Sequence, residues 1–200
     1  MNTEVKVFIV DDDESIRHSL RWLLESVKLQ VSTFSSAENF LQNVDTDHAG
    51  CLILDVRMPG MNGMELQQAL IARTSTLPII ILTGHGDVPM AVRAMSEGAF
   101  DFVQKPFNGP QLLNRVELAI AHSKKLLKEK YRRTELQSRY TLLTPRERQV
   151  MEFIIAGNAN KVIAIEMDIG QRTVEVHRHR VMEKMQAHSV AELIHFNLQL

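Results

Sequence analysis

The sequence predicts an α/β domain with a doubly wound five-stranded parallel sheet, followed by a small all-α domain. Short apolar segments alternate with amphipathic helical segments five times within residues 1–121, which is typical of a parallel sheet covered by helices on both faces. Residues 141–200 instead contain four helical segments in succession. We therefore predict one domain at residues 1–121, a helical linker at 122–140 and a four-helix domain at 141–200.

The five predicted strands are short, mainly apolar runs that end at polar or turn residues. They cover residues 5–10, 31–34, 51–55, 78–83 and 100–103. The third strand is apolar until its last residue, so we expect it to be buried on both faces. In the flavodoxin-like strand order 2-1-3-4-5, the first and third strands are neighbours at the topological switch point, where such sheets bind ligands.

The predicted helices of the first domain have apolar residues at intervals of three and four. Three of them cover residues 14–26, 63–71 and 88–96, and we interpret Asp13 as the N-cap of the first. Ser35-Ser36 and Glu38 are capping signals for another helix that runs to about Val44. A fifth begins near Pro110, and the basic residues beyond it could be a solvated extension of that helix, a linker or a short coiled coil.

A second set of start signals opens the four-helix domain. Thr144 and Glu147 have the spacing of a capping box, with Pro145 at the first helical position. They predict a helix that ends at Gly157, followed by helices at residues 161–167, 171–185 and 190–196. Four short helices in about 60 residues are typical of a compact bundle that contains a helix-turn-helix.

Charge distinguishes the two parts of the chain. Residues 1–120 contain 15 Asp or Glu against 9 Lys or Arg, and residues 121–200 contain 9 against 14. An acidic half suits a cation site and a basic half suits a polyanion. Cys51 is the single cysteine and is predicted to be a small core residue. Because there is no long apolar run and no signal peptide, we expect a cytoplasmic protein without a membrane partner.

Polar residues stand at the ends of four predicted strands. Asp11 and Asp12 follow the first strand, Asp55 ends the third, Thr83 ends the fourth and Lys105 follows the fifth. Three carboxylates at one sheet edge would repel each other unless a cation neutralised them, and hard oxygen ligands favour Mg²⁺. A hydroxyl and an ammonium group suit the charge of a phosphoryl group. We therefore predict that Asp55 is the nucleophile that accepts one.

Four segments resemble the receiver domain of two-component response regulators, namely Val10-Asp11-Asp12-Asp13, Leu54 to Gly63, Leu82-Thr83-Gly84 and Lys105-Pro106-Phe107. The resemblance covers residues 1–121 and implies that a sensor histidine kinase supplies the phosphoryl group to Asp55. It also implies that Asp12, Asp55 and the backbone carbonyl of Arg57 hold Mg²⁺, with Asp11 acting largely through water. Lys105 would contact a phosphoryl oxygen and Thr83 would turn toward it. Phe102 stands at the family's aromatic switch position, and its alternative role is that of an ordinary core residue.

A second resemblance covers residues 141–200. The segments Asn160 to Ala164 and Arg172 to Arg178 resemble the LuxR/NarL-type helix-turn-helix, and with Gly86-Asp87-Val88-Pro89 the whole chain is similar to FixJ-type transcription regulators. The resemblance implies that Glu175, Val176 and His179 approach base edges in the major groove of double-stranded DNA. The phosphate contacts would come from Lys161, Arg172, Arg178 and Arg180.

Three residues depart from the LuxR-type pattern. Ala159 stands where a Ser commonly caps the first helix of the motif, and Asp168 and Gly170 replace the usual turn Gly and capping Ser. Replacing a Ser cap costs about 0.5–2 kcal/mol when Ala takes its place and a few tenths when Gly does. We expect the helical domain to be somewhat less stable than is typical of the family.

We interpret the chain as a phosphorylation-activated transcription regulator and not as an enzyme, apart from self-phosphorylation from small donors and slow autodephosphorylation. We expect Arg57 and His85 to set the phosphoryl lifetime. One alternative is a receiver with a protein- or RNA-binding bundle, against which the basic segment Arg172 to Arg178 argues. Another is an aspartate-nucleophile phosphatase, which needs a second Asp where this chain has Arg57. Phosphorylated receivers are expected to form a homodimer through helix four and strand five, using Val88, Pro89, Met90, Val92, Met95 and Phe102.

Overall fold

The computed structural model describes residues 5–45, 48–84 and 88–200, without the side chain of Val88. The chain divides into two compact units between Lys128 and Glu129. In the described part of the chain, no helix is both long enough and apolar enough to cross a membrane.

The first unit is built on a five-stranded parallel sheet. Its strands lie in the order β2-β1-β3-β4-β5, which confirms the predicted topology. The register places Val10 beside Leu54 and Asp55 beside Leu82, so the carboxyl ends of three strands lie side by side. The strands are β1 (Lys6–Val10), β2 (Gln30–Phe34), β3 (Gly50–Asp55), β4 (Ile79–Thr83) and β5 (Asp101–Gln104).

Five helices pack on this sheet and create one apolar core on each face. One core includes Phe8, Phe40 and Leu54, and the other includes Ile9 and Cys51. Burial raises the pKa of the Cys51 thiol to about 12, so this cysteine is an unreactive core residue, as predicted. The helices are α1 (Glu14–Ser26), α2 (Ala37–Asn43), α3 (Gly63–Ala72), α4 (Val88–Ser96) and α5 (Gly109–Thr141).

The starts of α1 and α2 test two capping predictions. Asp13 caps α1 by accepting a hydrogen bond from the Ser15 backbone N–H at 2.8 Å, as predicted. Ser36 caps α2 as predicted, and Glu38 contributes at the same helix start through hydrogen bonds with the Ser36 side chain and its own backbone N–H. The Glu38 carboxylate also accepts a hydrogen bond from the backbone N–H of Met61 at 2.8 Å, which is the main cause of its lowered pKa. Glu38 therefore binds the loop after β3.

Helix α5 runs without interruption from Gly109 to Thr141 and includes residues 122–140. Within the first unit, Ser123 is fully buried, and its Oγ accepts a hydrogen bond from the Gly50 backbone N–H at 3.1 Å. A Cβ on residue 50 would lie 1.8 Å from the carbonyl oxygen of Lys6, so only glycine fits this crossing. These contacts tie α5 to the amino end of β3.

The second unit contains α6 (Pro145–Ile155), α7 (Asn160–Glu166), α8 (Gln171–Met185) and α9 (Val190–Asn197). The predicted capping box at the start of α6 is present. Lys184 also donates to the carboxylate of Glu147 at 2.6 Å, although Glu147 is only 2% exposed. Val174, Val181 and Met185 of α8 are buried in the core of this unit, whereas Met182 is only partly buried.

Helices α7 and α8 begin without a side-chain cap. Ala159 and Gly170 occupy the two N-cap positions in extended conformations, and neither has a side chain that can accept a hydrogen bond. Asp168, in the turn between them, has a φ of 53°, which Asp tolerates better than most residues. All three departures noted in the sequence therefore lie at the turn or the caps of one helix pair.

Candidate functional site

The side chains at the strand ends meet through Lys105. Its Nζ donates to Asp11 Oδ2 at 2.7 Å and to Asp55 Oδ1 at 2.8 Å. Both carboxylates are almost completely buried, and the Lys105 side chain is 18% exposed. We call Asp11, Asp55, Thr83 and Lys105 the strand-end site. Its two buried carboxylates and one ammonium leave a net negative charge at the edge of the sheet.

The second oxygen of each carboxylate is held by the backbone. Asp11 Oδ1 accepts a hydrogen bond from the Asp13 N–H at 2.9 Å, and Asp55 Oδ2 accepts one from the Arg57 N–H at 2.8 Å. Each contact closes a short turn in which an aspartate binds the N–H two residues further along the chain. The direction of both carboxylates is therefore fixed by the turns that follow β1 and β3.

Burial and pairing shift the pKa of two groups in this site. Burial raises the pKa of the Asp11 carboxyl, even though Lys105 and the Asp13 N–H both stabilise its charged form. Burial lowers the pKa of the Lys105 ammonium, but the hydrogen bonds to Asp11 and Asp55 outweigh it and the net shift is upward. Burial thus disfavours the charged form of Asp11, and a bound cation would offset this effect.

The backbone at the strand ends also brings Thr83 and Gly63 to the site. Thr83 is 1% exposed at the end of β4, and its carbonyl accepts a hydrogen bond from the Lys105 N–H at 2.8 Å. Gly63, the first residue of α3, lies so close to β3 that a Cβ there would be 2.2 Å from the carbonyl oxygen of Asp55. The N-terminus of α3 is therefore packed directly against the end of the strand that carries Asp55.

Asp12 and Arg17, which are in contact, are less buried than Asp11 and Asp55. Asp12 is exposed. Arg17 was not singled out from the sequence, yet its Nη1 donates to the carbonyl oxygens of Asp11 at 2.8 Å and Asp12 at 2.9 Å. Because both acceptors are backbone carbonyls, the residue types in the sequence did not indicate this contact. Arg17 fixes the backbone that carries both carboxylates.

The strand-end site offers oxygen ligands of the kind that Mg²⁺ prefers. Among the described residues, no group of three or more His, Cys, Asp or Glu side chains is arranged to hold a metal ion. Two carboxylates completed by a backbone carbonyl and water still form the hard, oxygen-only set that Mg²⁺ prefers, since this ion normally keeps several waters. The residual negative charge and the raised pKa of Asp11 also favour a cation. The residues present fit the ion.

Other residues predicted to act here lie at its margin or in the core. The Arg57 side chain is exposed, and only its N–H contact with Asp55 is seen. His85 and the segment Gly86-Asp87 lie outside the described residues. Phe102 is partly buried and packs against the core that contains Phe8, which is compatible with either of its two predicted roles.

Only some of the apolar residues predicted to form the dimer surface on α4 and β5 are exposed. Pro89, Val92 and Met95 are exposed, with 62% of Val92 and 45% of Met95 accessible. Met90 and Phe102 instead are partly buried and pack against the core that contains Phe8. Helix α4 thus offers a smaller apolar surface than the sequence suggested.

In the second unit, the residues predicted to bind DNA lie mainly on the exposed side of α8. Arg172, Glu175, Val176, His179 and Arg180 are exposed, and Arg178 is half-buried. Lys161 is exposed on α7. Within the described ranges, none of the four predicted phosphate-binding cations, Lys161, Arg172, Arg178 and Arg180, forms a hydrogen bond or an ion pair.

Comparison with known protein families gives a match to each unit. The model of the response regulator receiver domain matches residues 7–117. The model of bacterial regulatory proteins of the luxR family matches residues 141–197. The two matches fall on the unit with the strand-end site and the unit that contains α8.

Relatives match along almost the whole chain. The transcriptional regulatory protein FixJ of Bradyrhizobium diazoefficiens is 46% identical over 194 residues, covering 97% of this chain and 95% of the relative. The response regulator protein TodT of Pseudomonas putida is 43% identical over 188 residues, covering 94% of this chain and 83% of the relative. The solved structure of the response regulator StyR has a TM-score of 0.89 at 42% identity and covers 98% of this chain and 100% of its own.

Proposed function

The chain belongs to the response regulators that join a receiver domain to a LuxR-type DNA-binding domain, and from this premise we propose that phosphorylation of Asp55 controls its binding to promoter DNA. One observation carries the assignment of Asp55. Lys105 binds both Asp55 and Asp11 in a buried site at the sheet edge, which is an arrangement suited to an anionic group on Asp55. Membership of this family makes the protein a regulator of transcription.

The proposed transfer begins with an Asp55 oxygen that attacks the phosphorus of a phosphohistidine on a sensor kinase. A P–O bond to Asp55 forms, the P–N bond breaks with its electron pair going to the imidazole nitrogen, and the imidazole takes up a proton from the solvent. Lys105 can follow the new phosphoryl oxygens because its ammonium already lies 2.8 Å from Asp55. Thr83 provides a hydroxyl at the neighbouring strand end. Asp11, Asp12, Asp55 and the Arg57 carbonyl would hold Mg²⁺, whose charge favours the transfer when it is bound.

A labelling experiment tests the acceptor. The full-length protein should gain one phosphoryl group from a small phosphodonor with Mg²⁺, whereas Asp55→Asn should gain none, because the nucleophilic oxygen is gone. Asp13→Asn is the matched control, since it removes a neighbouring carboxylate but keeps a good helix cap. Intact-mass spectra would show the increment. Equal labelling of Asp55→Asn and the wild type would refute the assignment.

The proposed Mg²⁺ ligands can be tested without phosphorylation. Asp12→Ala should weaken Mg²⁺ binding measured by titration calorimetry, because one of the few anionic ligands is lost. Asp13→Asn again serves as the control. An unchanged dissociation constant for Asp12→Ala would exclude Asp12 from the ligand set.

We also propose that Arg57 and His85 set the lifetime of the phosphoryl group. Both follow a proposed site residue by two positions in the sequence, and we propose that they influence the approach of the attacking water. Replacing each by Ala should change the dephosphorylation rate and leave Asp55 as the acceptor. Identical half-lives for both variants and the wild type would rule this out.

The proposed output is dimerisation followed by DNA binding. Phosphorylated receivers would pair through α4 and β5, where Val92 and Met95 are exposed. Two tethered DNA-binding units would then gain affinity through effective concentration, and their operator should be roughly palindromic. Sedimentation with and without phosphorylation tests the pairing. A protein that stays monomeric when phosphorylated, both free and on its operator, would eliminate this mechanism.

The exposed side of α8 suggests how DNA would be recognised. His179→Ala should relax base preference, whereas Arg178→Ala should weaken binding to all sequences alike, because His179 is proposed to face base edges and Arg178 phosphates. Binding of both variants to sets of related duplexes would separate the two roles. The same loss of base preference in both variants would contradict them.

A further inference from the structure

The excess of basic charge in the C-terminal half does not lie where the DNA-binding family matches. Residues 141–200 contain seven Lys or Arg and seven Asp or Glu, so this part of the chain is neutral overall. Residues 122–140 contain seven Lys or Arg and only two Glu. The whole surplus of residues 121–200 therefore lies in the last part of α5.

Few cations in residues 141–200 are available for phosphate. Lys184 is engaged by Glu147 at 2.6 Å, and the Arg148 guanidinium lies over the ring of Tyr140 at 4.9 Å. The available cations are Arg146, which is exposed and donates to the neutral Gln149 amide at 3.2 Å, and the four already proposed, Lys161, Arg172, Arg178 and Arg180. Because non-specific DNA affinity comes almost entirely from phosphate neutralisation, such a small set favours a further basic surface elsewhere.

Three lysines of α5 form such a surface within the first unit. Lys124, Lys125 and Lys128 are all exposed, and helical geometry places them within an arc of about 100° on one side of the helix. None of the three has a hydrogen bond or an ion pair with another described residue. Leu127, one residue before Lys128, is buried on the other side. We call these three residues the lysine face.

We propose that the lysine face of α5 is a second, sequence-independent contact surface for the phosphate backbone of duplex DNA. Lysine ammonium groups are compact, strongly hydrated charges on flexible stems, which suit phosphates that need no fixed geometry. The lysine face carries three positive charges, and lysine is depleted at protein interfaces. Charge complementarity therefore favours DNA over a protein partner.

Salt dependence of binding to a duplex of random sequence tests the proposal, because each neutralised phosphate contributes about 0.9 to the slope of log affinity against log salt. Lys124→Gln, Lys125→Gln and Lys128→Gln combined in the full-length protein should reduce the slope by about 2.7. The matched triple change to Arg keeps the charge and should keep the slope. Lys28→Gln removes an exposed lysine from the first unit outside this helix and should leave the slope unchanged.

Two outcomes would overturn the proposal. One is an unchanged slope in the triple Gln variant; an altered oligomeric state of that variant in sedimentation would then make the lysine face a protein contact, and a loss of slope in variants of Arg172 and Arg178 would then uphold DNA binding by α8 alone. The other is an equal drop in Lys28→Gln, which would show a general effect of net charge.

Discussion

The strand-end site and the exposed side of α8 are both charged, but they are held in different ways. Asp11, Asp55 and Lys105 are buried or nearly so, and each binds at least one of the others. Arg172 and Arg180 on α8 are exposed and have no ion-pair partner in the described part of the chain. A charge in the first region therefore contributes to folding as well as to function. A charge on α8 is free to be matched by a partner.

The largest expected effect is the removal of the shared counter-ion in the strand-end site. Lys105→Met should lower the free energy of unfolding by about 3 kcal/mol, because two buried carboxylates would then face each other without a cation. Lys105→Arg keeps the charge and should lose much less. Urea unfolding followed by the fluorescence of Trp22, the single tryptophan and a residue of α1, reports on this unit. A loss below about 0.5 kcal/mol in Lys105→Met would abolish the contrast with α8.

An intermediate effect is expected for the one buried charge of the helical unit. Hydrogen bonds from Lys184 and from Thr144 stabilise the Glu147 carboxylate against the opposing effect of burial, so its pKa is lowered. Its stabilising contribution is complete above the ordinary glutamate pKa of about 4.3 and is lost as the pH falls toward the lower folded value. Glu147→Gln should cost about 1–2 kcal/mol at neutral pH.

The pH dependence separates this effect from other titrating groups. The free energy of unfolding, obtained from urea unfolding monitored by circular dichroism, should fall more steeply between neutral pH and acid for the wild type than for Glu147→Gln. Parallel curves for the two proteins would show that Glu147 is not the group responsible.

A smaller effect, in this case a gain in the free energy of unfolding, is expected from restoring the missing helix caps. Ala159 and Gly170 have extended N-cap conformations that a serine can adopt, and a Cβ at residue 170 would meet only Thr173 Oγ1 at 3.8 Å. Ala159→Ser should raise stability by about 1 kcal/mol and Gly170→Ser by a few tenths. Thermal unfolding would measure both. A loss of stability in Ala159→Ser would show that the α7 N-terminus has another constraint.

The smallest effect on folding is expected for Arg172→Gln on α8. Its stability should stay within about 0.5 kcal/mol of the wild type, while the salt slope of DNA binding falls by about 0.9. The free energy of unfolding and the salt slope, measured on the same sample, should show an effect on binding without an effect on folding. Lys105→Met, in contrast, is expected to affect folding. A destabilisation comparable to that of Lys105→Met would mean that the two regions do not differ as described.

The sequence predicted much of the fold because the local patterns and the tertiary packing agree. The apolar run that ends at Asp55 predicted a strand buried on both faces, and all six residues of β3 are buried. The capping box of Thr144 and Glu147 was predicted from spacing alone and is present. These features depend on nearest neighbours along one helix or strand, which a sequence displays directly.

Features that depend on which element packs nearby were not predictable in the same way. Glu38 has the position of a helix cap, but it also binds Met61 because the β3–α3 loop passes beside it. Arg17 binds two backbone carbonyls. Because every residue has a backbone carbonyl, the residue type does not reveal which one serves as the acceptor. The sequence placed the residues of the strand-end site at the carboxyl ends of parallel strands, but it did not show that Lys105 contacts both Asp11 and Asp55.

The hydrogen bond between Gly50 and Ser123 limits how a change at Asp55 can be transmitted. Strand β3 has Asp55 at one end and this contact with α5 at the other, and it is paired along its length to β1 and β4. A shift of β3 along its own axis would break both ladders of hydrogen bonds at once, and buried backbone groups left unpaired are costly. The strand therefore stays in place relative to its neighbours. A conformational change that starts at Asp55 is expected to spread through the strand-end loops and side chains at the carboxyl edge of the sheet.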